Sequence, residues 1–467
     1  MSKKILCATA RTDVNRAVSK FDGYEVIGEI DRKEDVIASC FDLRPDILLL
    51  TEFLGGRDPL PEVIISLTQK VPGVRVVLLT GSINNAKEDR RSFFEAMVYA
   101  GVYDIVHENN ITPERIKSAL DNPKSKGDVS YLMRKKRIGS KNEGGFEFDD
   151  DVAVTEEKDY YDNLFAISSI KPGTGKSFVS TNVAVMIAEQ GIRNEEGKRP
   201  KVALIEADLQ NLSLGTLLQI EDGKYNLKTT MNKIRSIFTK DGTISGDMVK
   251  RAEVDEHIRA SFKPYKYSKN LYALVGSQVT IQDLEDVTAY HYMYLINAIV
   301  NDYDVLIIDT NSALTHITTF PLLCMSKFCY YILNLDFNNV RNNCRYRGFL
   351  ETLGIMDKVR YLLNEDITED MDNPVTGIGL EPLIYDSNMV EKEFQLEAKI
   401  PVLPKAIFLN HIYEGKPVVL DTHSYTAKAR YEIAKVADQI WPIEDFDKIM
   451  KEAEKLDKSR KGIFGKR

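Results

Sequence analysis

Residues 164–191 carry the pattern that most constrains how this chain can fold: an apolar run, a glycine-rich turn and a helix-like segment. The run Leu164–Ile167 predicts a buried strand. The turn reads Ser168-Ser169-Ile170-Lys171-Pro172-Gly173-Thr174-Gly175-Lys176-Ser177. After it, apolar residues recur at helical spacing, at Val179, Val183, Met186 and Ile187. Gly191 is placed to end that helix. The segment therefore predicts a strand, a phosphate cradle and a helix.

The glycines, lysine and serine of this turn have the chemistry that binds nucleotide phosphates. Gly173 and Gly175 let the backbone turn tightly, so that successive N–H groups point at phosphate oxygens. The helix N-terminus adds partial positive charge. Lys176 is placed to bridge the β- and γ-phosphates, and the Ser177 hydroxyl is placed to ligate Mg²⁺. Ile170 replaces the glycine usual six residues before the lysine, so a chance match is the alternative on this segment alone.

Two aspartates favour a nucleotide site over a chance match. Asp208 follows the strand candidate Val202–Ile205, and Asp309 follows the candidate Val305–Ile308. Both therefore stand at the ends of later strands, where the chemistry of Mg²⁺ requires acidic side chains. We expect ATP and Mg²⁺ as cofactors.

Together these segments resemble the ParA/MinD group of deviant Walker-A ATPases. The P-loop of that group reads Lys-Gly-Gly-any-Gly-Lys-Ser/Thr, against Lys171-Pro172-Gly173-Thr174-Gly175-Lys176-Ser177 here. The resemblance covers most of residues 163–440. It is carried also by the segments Val202–Gln210, Leu212–Leu218, Tyr303–Thr310, Leu362–Asn364 and Ile400–Val418. It implies an α/β fold, a doubly wound P-loop NTPase sheet of the SIMIBI, MinD-like kind.

The same resemblance implies a homodimer that sandwiches ATP, with catalytic roles for three residues. Lys171, the signature lysine, would reach across the interface to the partner's phosphates, and Lys176 would hold the phosphates of its own chain. Asp208 would position the attacking water, and Asp309 would hold Mg²⁺ through water, beside Ser177. Nucleotide contacts are implied at Pro172, Gly173, Thr174, Gly175, Lys176, Ser177, Phe178, Asn364 and Pro404. Without the resemblance, a solvent-facing lysine beside the loop is an equal alternative for Lys171.

Three departures from the family pattern argue for slow hydrolysis. Pro172 replaces a glycine and removes an N–H donor. Glu206 replaces an aspartate, and Asn311 with Ser312 replaces the usual proline pair after the Walker-B strand. Proline at the P-loop position is common in bacterial tyrosine kinases of this superfamily, but those carry a C-terminal tyrosine cluster, and the last tyrosine here is Tyr431. We expect an ATPase that is slow or activator-dependent.

Residues 1–120 alternate between short apolar runs and helix-like stretches. The runs are Ile5–Ala8, Tyr24–Ile27, Ile47–Leu50, Val74–Leu79 and Tyr103–Val106. Five strands interleaved with helices predict a parallel sheet covered on both faces. The pattern looks like a flavodoxin-like response-regulator receiver domain.

This front segment lacks the chemistry of a receiver. Phosphorylation needs an acidic pair after the first strand, an aspartate ending the third and a lysine ending the fifth. The chain has Thr9-Ala10-Arg11, Thr51 and His107 at those places, and only Thr80 keeps the expected type. Without carboxylates to hold Mg²⁺ or accept phosphate, we expect this degenerate domain to serve binding, localisation or dimerisation.

A degenerate receiver ahead of a ParA/MinD-type ATPase resembles the TadZ/CpaE proteins, which place pilus-assembly machinery at a cell pole. The resemblance implies an ATPase that positions or recruits a pilus, secretion or conjugation apparatus and binds the proteins of that machine. Two alternatives are open: ParA-like DNA segregation, and a non-catalytic scaffold locked by ATP. The formal net charge of −8 argues mildly against general nucleic-acid binding.

These patterns divide the chain into four parts. We assign residues 1–121 to the receiver-like domain, 122–160 to a charged linker, 161–445 to the ATPase domain and 446–467 to a basic tail. The basic cluster Arg134–Arg137 of the linker is either solvated or in contact with phosphate or lipid. In the tail, Ile463 and Phe464 lie among basic residues, which suits either peripheral membrane contact or a frayed terminus.

The rest of the sequence favours a cytoplasmic protein. No run reaches the roughly 20 apolar residues of a membrane span, and the start lacks the apolar segment of a signal peptide. The five cysteines form no metal-ligand pattern and suggest no disulfide framework. A peripheral position on the inner face of the cell membrane, or at a cell pole, is compatible with this composition.

Overall fold

The structure is a computed structural model that describes residues 2–81, 88–108, 110–133, 160–220, 223–238, 244–276, 287–312, 319–352, 354–367 and 386–464. The chain forms two compact units. The N-terminal unit comprises Met1–Asp159, Ile234–Glu253 and Thr288–Tyr294, and the C-terminal unit comprises Tyr160–Lys233, Val254–Val287 and Leu295–Arg467. Most of the proposed linker, including Arg134–Arg137, lies outside the described residues.

The N-terminal unit is built on a five-stranded parallel sheet. The first six strands of the chain are β1 (Lys3–Ala8), β2 (Tyr24–Glu29), β3 (Ile47–Thr51), β4 (Arg75–Thr80), β5 (Glu88–Asp89) and β6 (Asp104–His107). The sheet order is β2-β1-β3-β4-β6, with every pair parallel. All five predicted runs are strands of this sheet, so the predicted fold class of this part is confirmed.

Helices pack against the sheet, and the apolar runs of its central strands are buried on both faces. The helices are α1 (Thr12–Val18), α2 (Val36–Leu43), α3 (Leu60–Lys70), α4 (Arg91–Tyr99) and α5 (Pro113–Asp121). Every residue of β3 is buried. A 3-10 helix at Gly127–Leu132, within the proposed linker, buries Val129 and Leu132.

Residues from further along the chain pack within the N-terminal unit. The strand β9 (Ile244–Ser245) pairs antiparallel with β5. The ring of Phe238 lies beside the rings of Tyr290, His291 and Tyr294. Two-residue strands and isolated aromatic contacts leave no periodic signal, so the sequence alone placed these residues in the 161–445 domain.

Glu62 on α3 gives the N-terminal unit an expected pH dependence. Burial, and secondarily the charge of Asp58, raises the pKa of this carboxyl to about 7. Because the folded pKa lies above the unfolded one, the stabilising protonated form is lost as pH rises from about 4.5 to about 7. Between these pH values we expect the wild-type unit to lose about 1–3 kcal/mol of its free energy of unfolding, and the Glu62→Gln unit to keep it. Hydrogen exchange of α3 peptides at pH 5 and pH 8 measures this; equal pH dependence in both proteins contradicts it.

The C-terminal unit is built on an eight-stranded sheet. Its strands are β7 (Tyr161–Ser168), β8 (Val202–Ala207), β10 (Lys263–Tyr265), β11 (Ser268–Leu274), β12 (Val305–Thr310), β13 (Ser326–Leu333), β14 (Val359–Asp366) and β15 (Leu396–Pro401). The order is β10-β11-β8-β12-β7-β13-β14-β15, and β10 alone pairs antiparallel among these strands. The predicted larger α/β sheet is confirmed.

Helices of the later chain surround this sheet or connect its strands. They are α6 (Lys176–Gln190), α7 (Leu214–Leu218), α8 (Leu227–Arg235), α9 (Met248–Ser261), α10 (Ala289–Ile299), α11 (Thr319–Met325), α12 (Phe337–Thr352), α13 (Ser387–Glu393), α14 (Lys405–Glu414), α15 (Ala427–Ile440) and α16 (Phe446–Phe464). Among the described residues, no helix is long and apolar enough to cross a membrane. Side chains beyond residue 455, including those of Ile463 and Phe464, lie outside the described set.

The strand register brings the predicted site residues to one edge of the sheet. β12 lies between β7 and β8, with Asp309 opposite Ile167 of β7 and Thr310 opposite Ala207 of β8. Since all three strands are parallel, their carboxyl ends meet at the same edge. The P-loop, Asp208 and Asp309 therefore share that edge, where open α/β sheets bind ligands.

Candidate nucleotide-binding site

The glycine-rich turn has the left-handed backbone that its glycines permit. Gly173 has φ 78° and Gly175 has φ 91°, values that residues with a Cβ rarely adopt. Asn364, two residues before the end of β14, donates its side-chain N–H to the Thr174 carbonyl at 2.9 Å and is buried. A Cβ on Gly175 would lie 2.1 Å from Asn364 Nδ2. Asn364 therefore braces the loop and requires glycine beside it.

These contacts predict different effects for two similar substitutions. Gly173→Ala adds a Cβ with nothing within 4 Å, so only backbone strain, about 1–2 kcal/mol, opposes it. Gly175→Ala adds the same strain and also displaces the Asn364 amide. We expect it to weaken nucleotide binding at least tenfold more than Gly173→Ala does, by titration calorimetry. Equal effects of the two substitutions would show that Asn364 does not constrain the loop.

Lys176 is buried at the start of α6, and its polar partners lie just after β12 and β8. Its ammonium donates to Ser312 Oγ at 2.6 Å and lies 3.6 Å from Asp208 Oδ2. Asn311 donates its side-chain N–H to Asp208 Oδ1 at 3.2 Å. A buried charge needs such partners. Asn311 and Ser312 thus connect the P-loop lysine to Asp208.

Asp309 and Ser177 form the candidate magnesium site. Asp309 is fully buried, and its Oδ2 accepts a hydrogen bond from Ser177 Oγ at 2.5 Å, whereas Oδ1 has no hydrogen-bond partner. Burial raises the pKa of Asp309 to about 7, although the hydrogen bond from Ser177 and the positive charge of Lys176 act to lower it. A buried carboxylate oxygen without a partner needs a cation or a cation-bound water. The residues present therefore fit Mg²⁺.

Lys171 is half-exposed and forms an ion pair with Asp336, which lies between β13 and α12. The hydrogen bond from Lys171 holds the pKa of Asp336 below its usual range. The signature lysine thus has an acidic partner within its own chain. Sequence reasoning missed Asp336, although an aspartate shortly after a parallel strand is the signal that identified Asp208.

Glu206 accepts hydrogen bonds from the backbone of two loops. One of its carboxylate oxygens accepts the backbone N–H groups of Ser213 and Leu214, at 2.5 and 2.9 Å, and the other accepts that of Gly276 at 2.6 Å. Burial raises its pKa. The carboxylate therefore fixes two loops at this sheet edge, and its extra methylene compared with aspartate lengthens its reach.

A cavity of about 580 Å³ opens beside the P-loop. A cavity of this size accommodates a small-molecule ligand. The loop contributes Pro172, Gly173, Gly175, Lys176, Ser177 and Phe178 to its wall, and Asp208 and Asn364 also line it. Thr174 of the loop is buried and is not among the lining residues. Pro404 precedes α14, between the lining residues Leu403 and Lys405.

Part of the cavity wall was not predicted from the sequence. The additional residues include Asn211, Leu217, Glu365, Lys405 and Phe408. Glu365 has φ 55°, an uncommon left-handed conformation for a residue with a Cβ. Lys405 begins α14, and the Phe408 ring lies 6.0 Å from that of Phe178. These residues carry no local motif, because only the fold brings them to the P-loop.

Sequence comparison finds a relative for part of the chain. The chain is 27% identical over 204 residues to a septum site-determining protein, MinD, of Guillardia theta, which covers 43% of this chain. The chain spans 63% of the length of that relative. No protein-family model matches the chain.

Two solved structures are similar in fold to about three fifths of the chain. A ParA family ATPase from Chlorobium tepidum has 15% identity and a TM-score of 0.44, over 59% of this chain and 98% of that one. MinD from Pyrococcus horikoshii, complexed with Mg-ADP, has 17% identity and a TM-score of 0.42, over 60% and 95%. The site is that of a P-loop protein, and the sequence match supports homology with MinD/ParA-type ATPases.

Proposed function

We propose that this chain is a P-loop ATPase that binds Mg-ATP, dimerises around it and hydrolyses it slowly. The dimer positions or recruits a pilus, secretion or conjugation apparatus, as the TadZ/CpaE resemblance implies. The observation that carries the ATPase proposal is the convergence of Lys176, Ser177, Asp208 and Asp309 at the carboxyl ends of three adjacent strands, beside a cavity of about 580 Å³.

We propose a role for each of these residues and for Lys171. Lys176 and the loop N–H groups would hold the phosphates, while Ser177 and Asp309 would hold Mg²⁺. Bound Mg²⁺ neutralises charge on the phosphates. Asp208, which accepts a hydrogen bond from Asn311, orients a water. On dimerisation, Lys171 would leave Asp336 and contact the phosphates of the nucleotide bound by the partner copy.

Two features support slow turnover. Pro172 lacks the N–H that a glycine would offer to phosphate. The Asp208 carboxylate is already engaged by Lys176 at 3.6 Å and by the backbone N–H of Asn211 at 3.2 Å. A carboxylate with several partners has less capacity to accept from a water molecule.

Phosphate release by the full chain tests the catalytic part of the proposal. We expect Mg²⁺-dependent turnover below about 1 s⁻¹, under the range of most enzymes. Calcium in place of Mg²⁺ and the variant Lys176→Ala serve as controls. ATP binding with no phosphate release above that of Lys176→Ala would instead support the scaffold alternative.

The N-terminal unit is proposed to bind the partner machine and not to undergo phosphotransfer. β3 ends in Thr51, and the next residue, Glu52, has its carboxylate bonded to the Thr80 hydroxyl and the Arg90 guanidinium. The acidic side chain at this edge is therefore already paired.

We predict no phosphate adduct on residues 1–120 after treatment with acetyl phosphate. A mass increase of one phosphate on that segment contradicts this.

DNA binding is the second candidate, favoured by one face of α12. Its exposed residues Asn338, Arg341 and Arg345 lie three to seven positions apart, and neither arginine has an ion pair among the described residues. Such a face can contact the phosphate backbone. Salt-dependent retention of duplex DNA that is lost in Arg341→Gln/Arg345→Gln supports it, and retention that is unchanged excludes this surface.

Membrane contact through the C-terminal tail is a third element of the proposal. The helix α16 continues to Phe464, and ATP-driven dimerisation would present two copies of the tail and increase avidity. Co-sedimentation with anionic liposomes, with and without ATP, tests it. We expect the full chain to pellet more than a chain ending at Asp457; identical pelleting removes this role.

A further inference from the structure

A second cavity, of about 690 Å³, lies in the C-terminal unit between α15 and α16. It does not share residues with the P-loop cavity. Its wall is rich in cationic and hydroxyl groups, contributed by Arg199, Arg430, Lys448, Lys455, Thr422 and Ser424. Gln190, the last residue of α6, also lines it.

Arg430 is the buried group of this wall. It is 9% exposed, yet its guanidinium makes one hydrogen bond within the described part of the chain, from Nη2 to Glu452 Oε2 at 3.2 Å. Its Nε has no partner. A guanidinium carries five N–H donors, and burying them unpaired is unfavourable. An anion in the cavity would supply the missing acceptors.

Two lysines extend the positive charge along the cavity. Lys448 and Lys455 are exposed on α16 and lie seven residues apart, on one face of the helix. Neither has an ion pair among the residues that the structure describes.

The acidic residues of the wall do not cancel this charge. Glu444 pairs with Arg199 at 2.7 Å, and Glu452 pairs with Arg430. Asp445, at the start of α16, is then the remaining carboxylate of the wall. After these pairs are formed, two lysines and the unused donors of Arg430 face a single carboxylate. The cavity therefore has an excess of positive charge.

We propose that this cavity binds a small anion that carries phosphate groups. Guanidinium and ammonium groups at this density recognise phosphate oxygens, and the hydroxyls of Thr422 and Ser424 are further donors. The volume is within the range of small-molecule sites. Because Gln190 ends the helix that Lys176 begins, the ligand would contact the opposite end of the P-loop helix.

Titration calorimetry with inorganic pyrophosphate tests the proposal on the full chain carrying Lys176→Ala, which weakens the P-loop site. We expect binding that is at least tenfold weaker when Lys448→Gln/Lys455→Gln is added. The matched control is Lys266→Gln/Lys269→Gln, which removes the same charge from exposed lysines away from the cavity wall. We expect the control to retain affinity. Equal weakening in both double variants, or no pyrophosphate binding before they are introduced, overturns the proposal.

Arg430→Gln is a third variant, accepted after its circular dichroism matches that of the parent. We expect its affinity for pyrophosphate to be at least tenfold lower. Unchanged affinity in a folded variant would contradict the role given to the buried arginine.

A lipid headgroup is the other source of phosphate. Vesicles of phosphatidylglycerol distinguish the two, because pyrophosphate releases the chain from them only if the cavity holds the headgroup.

Discussion

Replacing Lys176 by alanine is expected to lower the affinity for Mg-ATP by at least 100-fold, which is about 3 kcal/mol. The ammonium is buried at the mouth of the loop, and its partners, Ser312 Oγ and Asp208, offer no substitute cation. The nearest alternative in the motif, Lys171, is paired with Asp336. Titration calorimetry on the full chain measures the loss.

The control for this result separates loss of binding from loss of fold. Removing Lys176 leaves Asp208 with its asparagine partners, so we expect near-wild-type secondary structure and an intact Trp441 environment. Lys198→Ala, an exposed lysine outside the site, should bind ATP as wild type does. Wild-type ATP affinity in a folded Lys176→Ala protein would contradict the P-loop assignment.

Replacing Asp208 by alanine is expected to keep ATP binding but reduce hydrolysis by at least 100-fold, since the carboxylate is proposed to orient water. Its 3.6 Å contact with Lys176 is lost, so the lysine is free for phosphate and affinity is unchanged or higher. Phosphate release under saturating ATP measures the rate. Hydrolysis at the wild-type rate contradicts the role given to Asp208.

Lys171→Ala tests the proposed contact across the dimer, with calorimetry to measure ATP binding and sedimentation velocity to measure association. Because the side chain pairs with Asp336 at a half-exposed position, its removal should affect ATP binding by the monomer little. Association of two ATP-bound copies should weaken by at least tenfold. Asp336→Asn is the matched control, because it removes the ion pair but keeps the lysine. Equal losses of binding and association in Lys171→Ala count against a role in the partner's site.

The central architecture could be predicted from the sequence because parallel strands are buried on both faces. Runs such as Ile47–Leu50 and Val305–Ile308 are apolar without interruption and became β3 and β12. The P-loop was equally evident, since its glycines are needed for a local backbone conformation. β10 and β11 were missed, because their segment, Lys263–Leu274, alternates short apolar stretches with lysines and serine.

The connections within the candidate site could not be predicted, because they join residues far apart in the chain. Asn364 reaches Thr174, and Ser312 reaches Lys176, across more than 130 positions. A local sequence pattern does not indicate which residues so far apart in the chain come into contact. The sequence alone presents Asn311 and Ser312 as departures from a motif, whereas hydrogen bonds in the structure join Asn311 to Asp208 and Ser312 to Lys176. The roles assigned to these residues stay predictions.

Sedimentation velocity of the Asp208→Ala chain, in Mg-ATP and in Mg-ADP, tests the central claim most directly. If the loop, the magnesium residues and Lys171 form an ATP-dependent interface, the chain should sediment as a dimer in Mg-ATP and as a monomer in Mg-ADP. The added change Lys176→Ala should restore the monomer in both nucleotides. A monomer in Mg-ATP, at concentrations where calorimetry shows the site to be filled, would contradict an ATP-controlled dimer.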